Sequence, residues 1–185
     1  MERVEKSIAI VELVSVARGI LVADEMLKGG DVTLHLAATT CPGKYLIVVG
    51  GNIGAVKNSL NAGLEVGKEA INDSMLLPNI HPDIFLALSC SLEVTEIGAL
   101  GVVETLSAPA TIEAADAAMK SARVHLLEVR LGKGMGAKSF FTFTGDISEV
   151  RTAAKAAEGA IIEKGLLVDI AVVNKPHADL PSFIV

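Results

Sequence analysis

One thiol in this chain sits where it could meet a metal: Cys41, in the segment TTCPGK of residues 39–44, where Pro42 and Gly43 stiffen a turn and present the side chain. Thiolates are the ligands that iron–sulfur clusters take, yet a single cysteine holds no cluster. Three symmetry copies meeting at an axis could supply three. Cys90 forms no CxxC pair with Cys41, and two cysteines in 185 residues make no disulfide framework, which fits a reducing cytosol.

The remaining chemistry-bearing residues point to structure. Glu12 with Glu104, and Asp24 with Asp116, could be carboxylate pairs for acid–base work, but each pair occupies one position of a repeated unit. Catalytic pairs need unlike environments to separate their pKa values. Asp24 and Lys28, like Asp116 and Lys120, are spaced i, i+4 and are expected as exposed ion pairs. His81 and His177 recur with Asp83 and Asp179 two residues on, which suits capping or packing. His35 and His125 are not equivalent, and no HxxxH spacing joins any two histidines, so zinc is not expected. GKGMGAK (132–138) has Ala137 where a phosphate loop has the glycine before its lysine, and a strand follows where that loop opens a helix. GGNIG (50–54) has TGDIS as its counterpart, whose Asp146 would repel phosphate. Tight turns account for both glycine runs.

These residues are positioned by a duplication. At an offset of 92, residues 9–34 match residues 101–126 at nine of 26 positions, including Val11/Val103, Ser15/Ser107, Ile20/Ile112 and Lys28/Lys120, far above chance. The offset grows to 94 at GGNIGAV against TGDISEV, and to 96 at His81/His177, so the first insertion falls at the loop of residues 39–44 and 131–138. Each half predicts a strand (8–14; 100–106), a helix (16–28; 108–121), two strands (32–38 and 44–49; 124–131 and 138–144), a second helix (53–69; 147–164) and a last strand (74–78; 166–173). Ser107 is the expected N-cap of its helix with Pro109 in the first turn; Asp146 opens the second helix and Gly165 closes it. The order is βαββαβ, an α/β (α+β) ferredoxin-like unit occurring twice, at 7–89 and 99–185, with a linker at 90–98.

Composition sets the company such a chain keeps. It is 51% hydrophobic and 21% charged, more apolar than a soluble domain needs, so extensive self-association is expected to cover the surplus. No apolar run approaches the roughly 20 residues of a spanning helix, and MERVEKSIAIVEL is too acidic for a signal peptide, so a soluble intracellular chain is expected. A net charge of -6 and six aromatics exclude the basic footprint and the stacking platform of a nucleic-acid binder.

The order GVVET, EAADAAMKSA, GDISEV and KPH in the second half, with the looser IVELVSVARG, ADEMLK, GGNIGAV and IHP in the first, resembles the bacterial microcompartment shell-protein domain. The resemblance spans residues 7–180 and fits the tandem-domain trimeric class in unpermuted order. Within it, TTCPGK is similar to the pore loop of the iron–sulfur shell proteins of propanediol-utilisation microcompartments. It implies a non-enzymatic homotrimer, a pseudo-hexagonal tile set beside other shell proteins in the bacterial cytoplasm. Around its pore would stand Thr39, Thr40, Cys41, Pro42 and Gly43, with Gly132, Lys133, Gly134, Met135 and Gly136. One [4Fe-4S] cluster per trimer on Cys41 is implied, for electron transfer across the shell or delivery to a redox enzyme, encapsulated or cytosolic. Lys28, Lys120, Lys175, His81 and His177 would lie at tile edges, although Asn79 stands where the family's edge motif has arginine. A plain tile with a metabolite pore, and a trimeric ferredoxin-like regulator or small enzyme, are the competing readings.

Overall fold

Apolar side chains alternate along strand β1, Ser7–Leu13, so Ala9, Val11 and Leu13 face one side and Ile8 and Ile10 the other; all five are buried. The computed structural model describes residues 5–89, 91–92, 96–132, 134–136, 138–180 and 184. In the first unit β1 is central. It pairs antiparallel with β3 (Lys44–Gly51) and β4 (Ile71–Pro78), and β2 (Thr33–Thr40) extends β3, giving the order β2-β3-β1-β4. Helices α1 (Val16–Gly29) and α2 (Ile53–Gly67) contribute Val22, Met26, Val56 and Leu60 to a core with Ala9, Val11, Leu13, Tyr45 and Ile47. Both helices are capped as their sequences require. The Arg18 N–H donates to Ser15 Oγ at 3.3 Å and the Ala55 N–H to Asn52 Oδ1 at 2.9 Å.

The second unit repeats this plan with β5 (Ala99–Thr105), α4 (Ala108–Ser121), β6 (Val124–Leu131), β7 (Ser139–Gly145), α5 (Ile147–Ile161) and β8 (Leu167–Val173), in the order β6-β7-β5-β8. Each unit is therefore βαββαβ, an α+β fold in unpermuted order. The repeat extends to its irregularities: register shifts fall at Leu34/Leu36 and Leu126/Glu128, and again at Glu12/Leu13 and Glu104/Thr105. Ser107 caps α4 with Pro109 in its first turn, as expected, and Gly165 ends the turn after α5 at φ 66°.

Three expectations need correction. Asp146 stands at the N-cap of α5 but accepts no hydrogen bond from that helix, whereas its counterpart Asn52 does. Asp116 is buried, so the Asp116–Lys120 pair at 2.6 Å is no surface pair, unlike the exposed Asp24–Lys28 pair at 2.5 Å. The first compact unit ends at Pro82 rather than at residue 89. Helix α3 (Asp83–Leu88) buries Ile84, Phe85 and Ala87 and packs on β6, so it belongs with the second unit. Of the expected linker, Cys90 and residues 93–95 lie outside the described residues.

The two cores are filled differently at one matched pair. Ala9 faces Val49 across β1 and β3, while Gly101 faces Phe143 across β5 and β7, a smaller residue answering a larger one. Phe143 stacks with Phe141 at 5.6 Å between centroids, and a Cβ at Gly101 would enter its ring. Gly101→Ala should therefore destabilise the chain by about 1–3 kcal/mol. Gly159→Ala, in an exposed stretch of α5 with no heavy atom of the described residues within 4 Å of a new Cβ, should stabilise by about 0.5–1 kcal/mol. Urea midpoints should move in opposite directions.

Candidate functional site

Two hairpin connections hold the candidate pore residues. In the first, β2 ends at Thr40, β3 begins at Lys44, and only Cys41, Pro42 and Gly43 lie between. The Gly43 N–H donates to the Thr40 carbonyl at 3.0 Å, Gly43 takes φ 85°, and the Cys41–Pro42 peptide is cis. The turn is tight and leaves the Cys41 thiol partly exposed at its tip, with Thr39, Pro42 and Gly43 exposed around it. Thr40 is buried, and its hydroxyl has no hydrogen-bond partner among the described residues.

The second connection is longer, seven residues from Gly132 to Lys138 against three. Gly132, Gly134 and Gly136 take φ 63°, 73° and 61°, conformations that favour glycine, with Met135 partly buried between the last two. Lys133 lies outside the described residues.

What fixes the base of both hairpins is an ionic link that local sequence patterns do not reveal. Glu12, buried at the end of β1, accepts from Lys44 Nζ at 2.7 Å and from Asn72 Nδ2 at 2.5 Å, both on Oε2. One carboxylate thus ties β3 and β4 to the central strand beside the cysteine turn. In the second unit Glu104 and Lys138 pair at 2.7 Å, but both are more exposed. The amide is missing too, since Val168 stands at the repeat position of Asn72. The available signal was that both loops end in lysine, each matched to the repeated glutamate.

Among the described residues no group of three or more His, Cys, Asp or Glu is placed to hold a metal ion within one chain. His35 meets Glu5 at 2.9 Å, and His177 receives the Asp179 N–H at 3.3 Å on Nδ1. The edge candidates gather at the opposite end of each sheet from the hairpins. Lys28 ends α1 and precedes β2, whose eight residues place it about 25 Å from the cysteine turn at ~3.3 Å per residue. His81 follows β4 at that same far end; in the second unit Lys120 precedes β6, and Lys175 and His177 follow β8. The Lys28 ammonium is held above its ordinary pKa by its hydrogen bond to Asp24, then by that to Glu25.

Comparison with known proteins gives a consistent picture. The BMC domain family model matches residues 7–80 and 99–176. The chain is 39% identical over 175 residues to the bacterial microcompartment shell protein PduT of Citrobacter freundii, covering 95% of each. It is 31% identical over 171 residues to the carboxysome assembly protein CcmO of Synechococcus elongatus, covering 85% of this chain and 61% of that protein. A microcompartment protein of Desulfitobacterium hafniense DCB superposes with a TM-score of 0.93 at 42% identity, covering 96% of this chain and 98% of the other.

The two glutamate anchors should differ in cost. Glu12→Gln removes the charge from a buried, doubly bonded site and should destabilise by about 1–3 kcal/mol. Glu104→Gln, in a more exposed pair, should cost less than about 1 kcal/mol. Denaturant titration of both variants checks the order.

Proposed function

This chain belongs to the BMC domain family and is a bacterial microcompartment shell protein, and from that premise we propose that three copies form a pseudo-hexagonal tile whose Cys41 turns meet on its axis and bind one [4Fe-4S] cluster. The observation that carries this reading is the turn itself: one thiol in the turn of each chain, partly exposed at the tip of a tight hairpin whose base is locked by Glu12 and Lys44. Thiolate is the donor that iron–sulfur clusters require. Among the described residues one chain offers too few ligands, so the donor set fits where copies converge. Cys41 from each of three chains would hold three irons, leaving the fourth to a small molecule or a non-cysteine group.

When bound, the cluster would supply one-electron chemistry at the pore. The chain's own contribution is to hold the thiol: Pro42 and Gly43 shape the turn, and Glu12 keeps Lys44 from swinging away from its base. The chain's place is the shell of a microcompartment in the bacterial cytoplasm, and its role there is structural, with a redox enzyme inside or outside the shell as the electron partner. No helix among the described residues is long and apolar enough to cross a membrane. Lys28, standing at the end of the sheet away from the cysteine turn, serves tile-to-tile contacts together with Lys120, Lys175, His81 and His177.

Anaerobic reconstitution of wild type, Cys41→Ser and Cys90→Ser tests the cluster. The visible absorbance should vanish only in the first variant; equal signals in all three would reject the assignment in favour of an open metabolite pore. Lys28→Glu tests the edge. Light scattering should give the wild-type trimer mass while electron microscopy shows loss of extended sheets, because the new charge meets a partner only between tiles. A variant that still forms sheets, or whose trimer dissociates, contradicts the placement.

A further inference from the structure

Three buried side-chain hydroxyls have no hydrogen-bond partner among the described residues: those of Thr40, Ser59 and Thr142. Ser59 lies inside helix α2 and Thr142 in the middle of strand β7, away from either hairpin connection. Thr40 differs in its place. It is the last residue of β2, 6% exposed, and is joined directly to Cys41. Its carbonyl closes the turn by accepting the Gly43 N–H at 3.0 Å, while its hydroxyl is left over. A threonine ordinarily spends that hydroxyl on a nearby main-chain group. A buried polar atom without a partner costs stability, so one kept at the base of a thiol-bearing turn points to an acceptor that arrives from outside the chain.

The second unit does without this arrangement. At the offset of 92, Gly132 stands in the place of Thr40 and Lys133 in that of Cys41, so the half that lacks the thiol lacks the hydroxyl too. There the hydroxyl at the base of the hairpin is in use: Ser139 Oγ accepts the Gly132 N–H at 3.0 Å. Elsewhere in that unit buried hydroxyls are bonded as well, Thr105 with Thr111 at 2.6 Å and Thr144 to the Ala99 carbonyl at 2.9 Å. In the first unit the cross-strand neighbour of Thr40 is Lys44, whose ammonium is committed to Glu12. The Thr40 hydroxyl therefore keeps its proton for an acceptor that the described residues do not supply.

We infer that the Thr40 hydroxyl donates a hydrogen bond to a sulfur of the iron–sulfur centre held by Cys41 and so raises its reduction potential. The inference rests on the cluster reading above and adds the residue that tunes the centre. Thiolates and sulfides in such a centre accept hydrogen bonds, and those bonds are among the factors that set its potential. Reduction places more negative charge on the sulfurs, so a donor favours the reduced form. Burial strengthens the bond by keeping water from competing for it. The hydroxyl keeps its proton throughout: no covalent bond is made or broken, and the one electron goes to the iron centre.

Potentiometry of the reconstituted protein tests it. Wild type, Thr40→Val and Thr40→Ser are loaded with iron and sulfide under anaerobic conditions and titrated with dithionite while the visible absorbance is followed. Thr40→Val should hold the wild-type amount of iron at a lower midpoint potential, and Thr40→Ser, which keeps the hydroxyl, should move the potential back towards wild type. Without iron, Thr40→Val should keep the wild-type mass in light scattering and a urea midpoint no lower than wild type, because removing an unpartnered hydroxyl gives up no bond. Equal potentials in all three would overturn this inference alone. So would a lower urea midpoint or a smaller mass for metal-free Thr40→Val, since the hydroxyl would then serve the protein. If Thr40→Val takes up no iron, Thr40→Ser decides: recovery there supports the hydroxyl's role, and failure there overturns it. A wild type that takes up no iron would overturn the cluster reading and this inference together.

Discussion

The register of the central strand governs everything each unit does. β1 is hydrogen-bonded on both sides and buried on both faces, so Ala9, Val11 and Leu13 can reach the helices in only one alignment. Because side chains alternate, a slip of one residue would turn the whole set over and drive Glu12 into the apolar core. The carboxylate is therefore turned to the opposite face, at the hairpin end of the sheet, by the same alternation that builds the core. There it meets Lys44 from β3 and Asn72 from β4. Placement of the cysteine turn follows from packing many residues away.

Much of this was legible in the sequence. The fixed offset gave two βαββαβ units and put the insertion between β6 and β7, because duplicated apolar periodicity survives divergence of the surface. The Ser107 cap and Gly165 closure were legible because such signals are local. The misses are non-local. Glu12 and Lys44 are 32 residues apart, and no spacing rule joins positions that a sheet brings together. The burial of Asp116 was hidden because i, i+4 spacing is silent on whether the helix face is covered. The placement of α3 was missed because a six-residue helix announces its length but not the surface that takes it.

Duplication within one chain also let the two hairpins part. The first has a three-residue turn with a thiol and a buried, amide-supported anchor; the second has a seven-residue connection, three left-handed glycines and a more open ion pair. One presents a side chain on a short turn, the other makes room with glycines. In a ring of six identical chains neither specialisation could exist without the other five copies sharing it.

The matched pair in the cores bears on how such a chain avoids confusing its own halves while it folds. Tandem repeats risk assembling a sheet from strands of both units. Were β1 to pair with β7, the methyl of Ala9 would occupy the place of Gly101, where a Cβ meets the Phe143 ring. Were β5 to pair with β3, Gly101 would face Val49 and leave an unfilled space. Both hybrids are penalised, one by crowding and one by emptiness. A difference of a few carbon atoms thus acts as an address, sorting each strand to its own sheet.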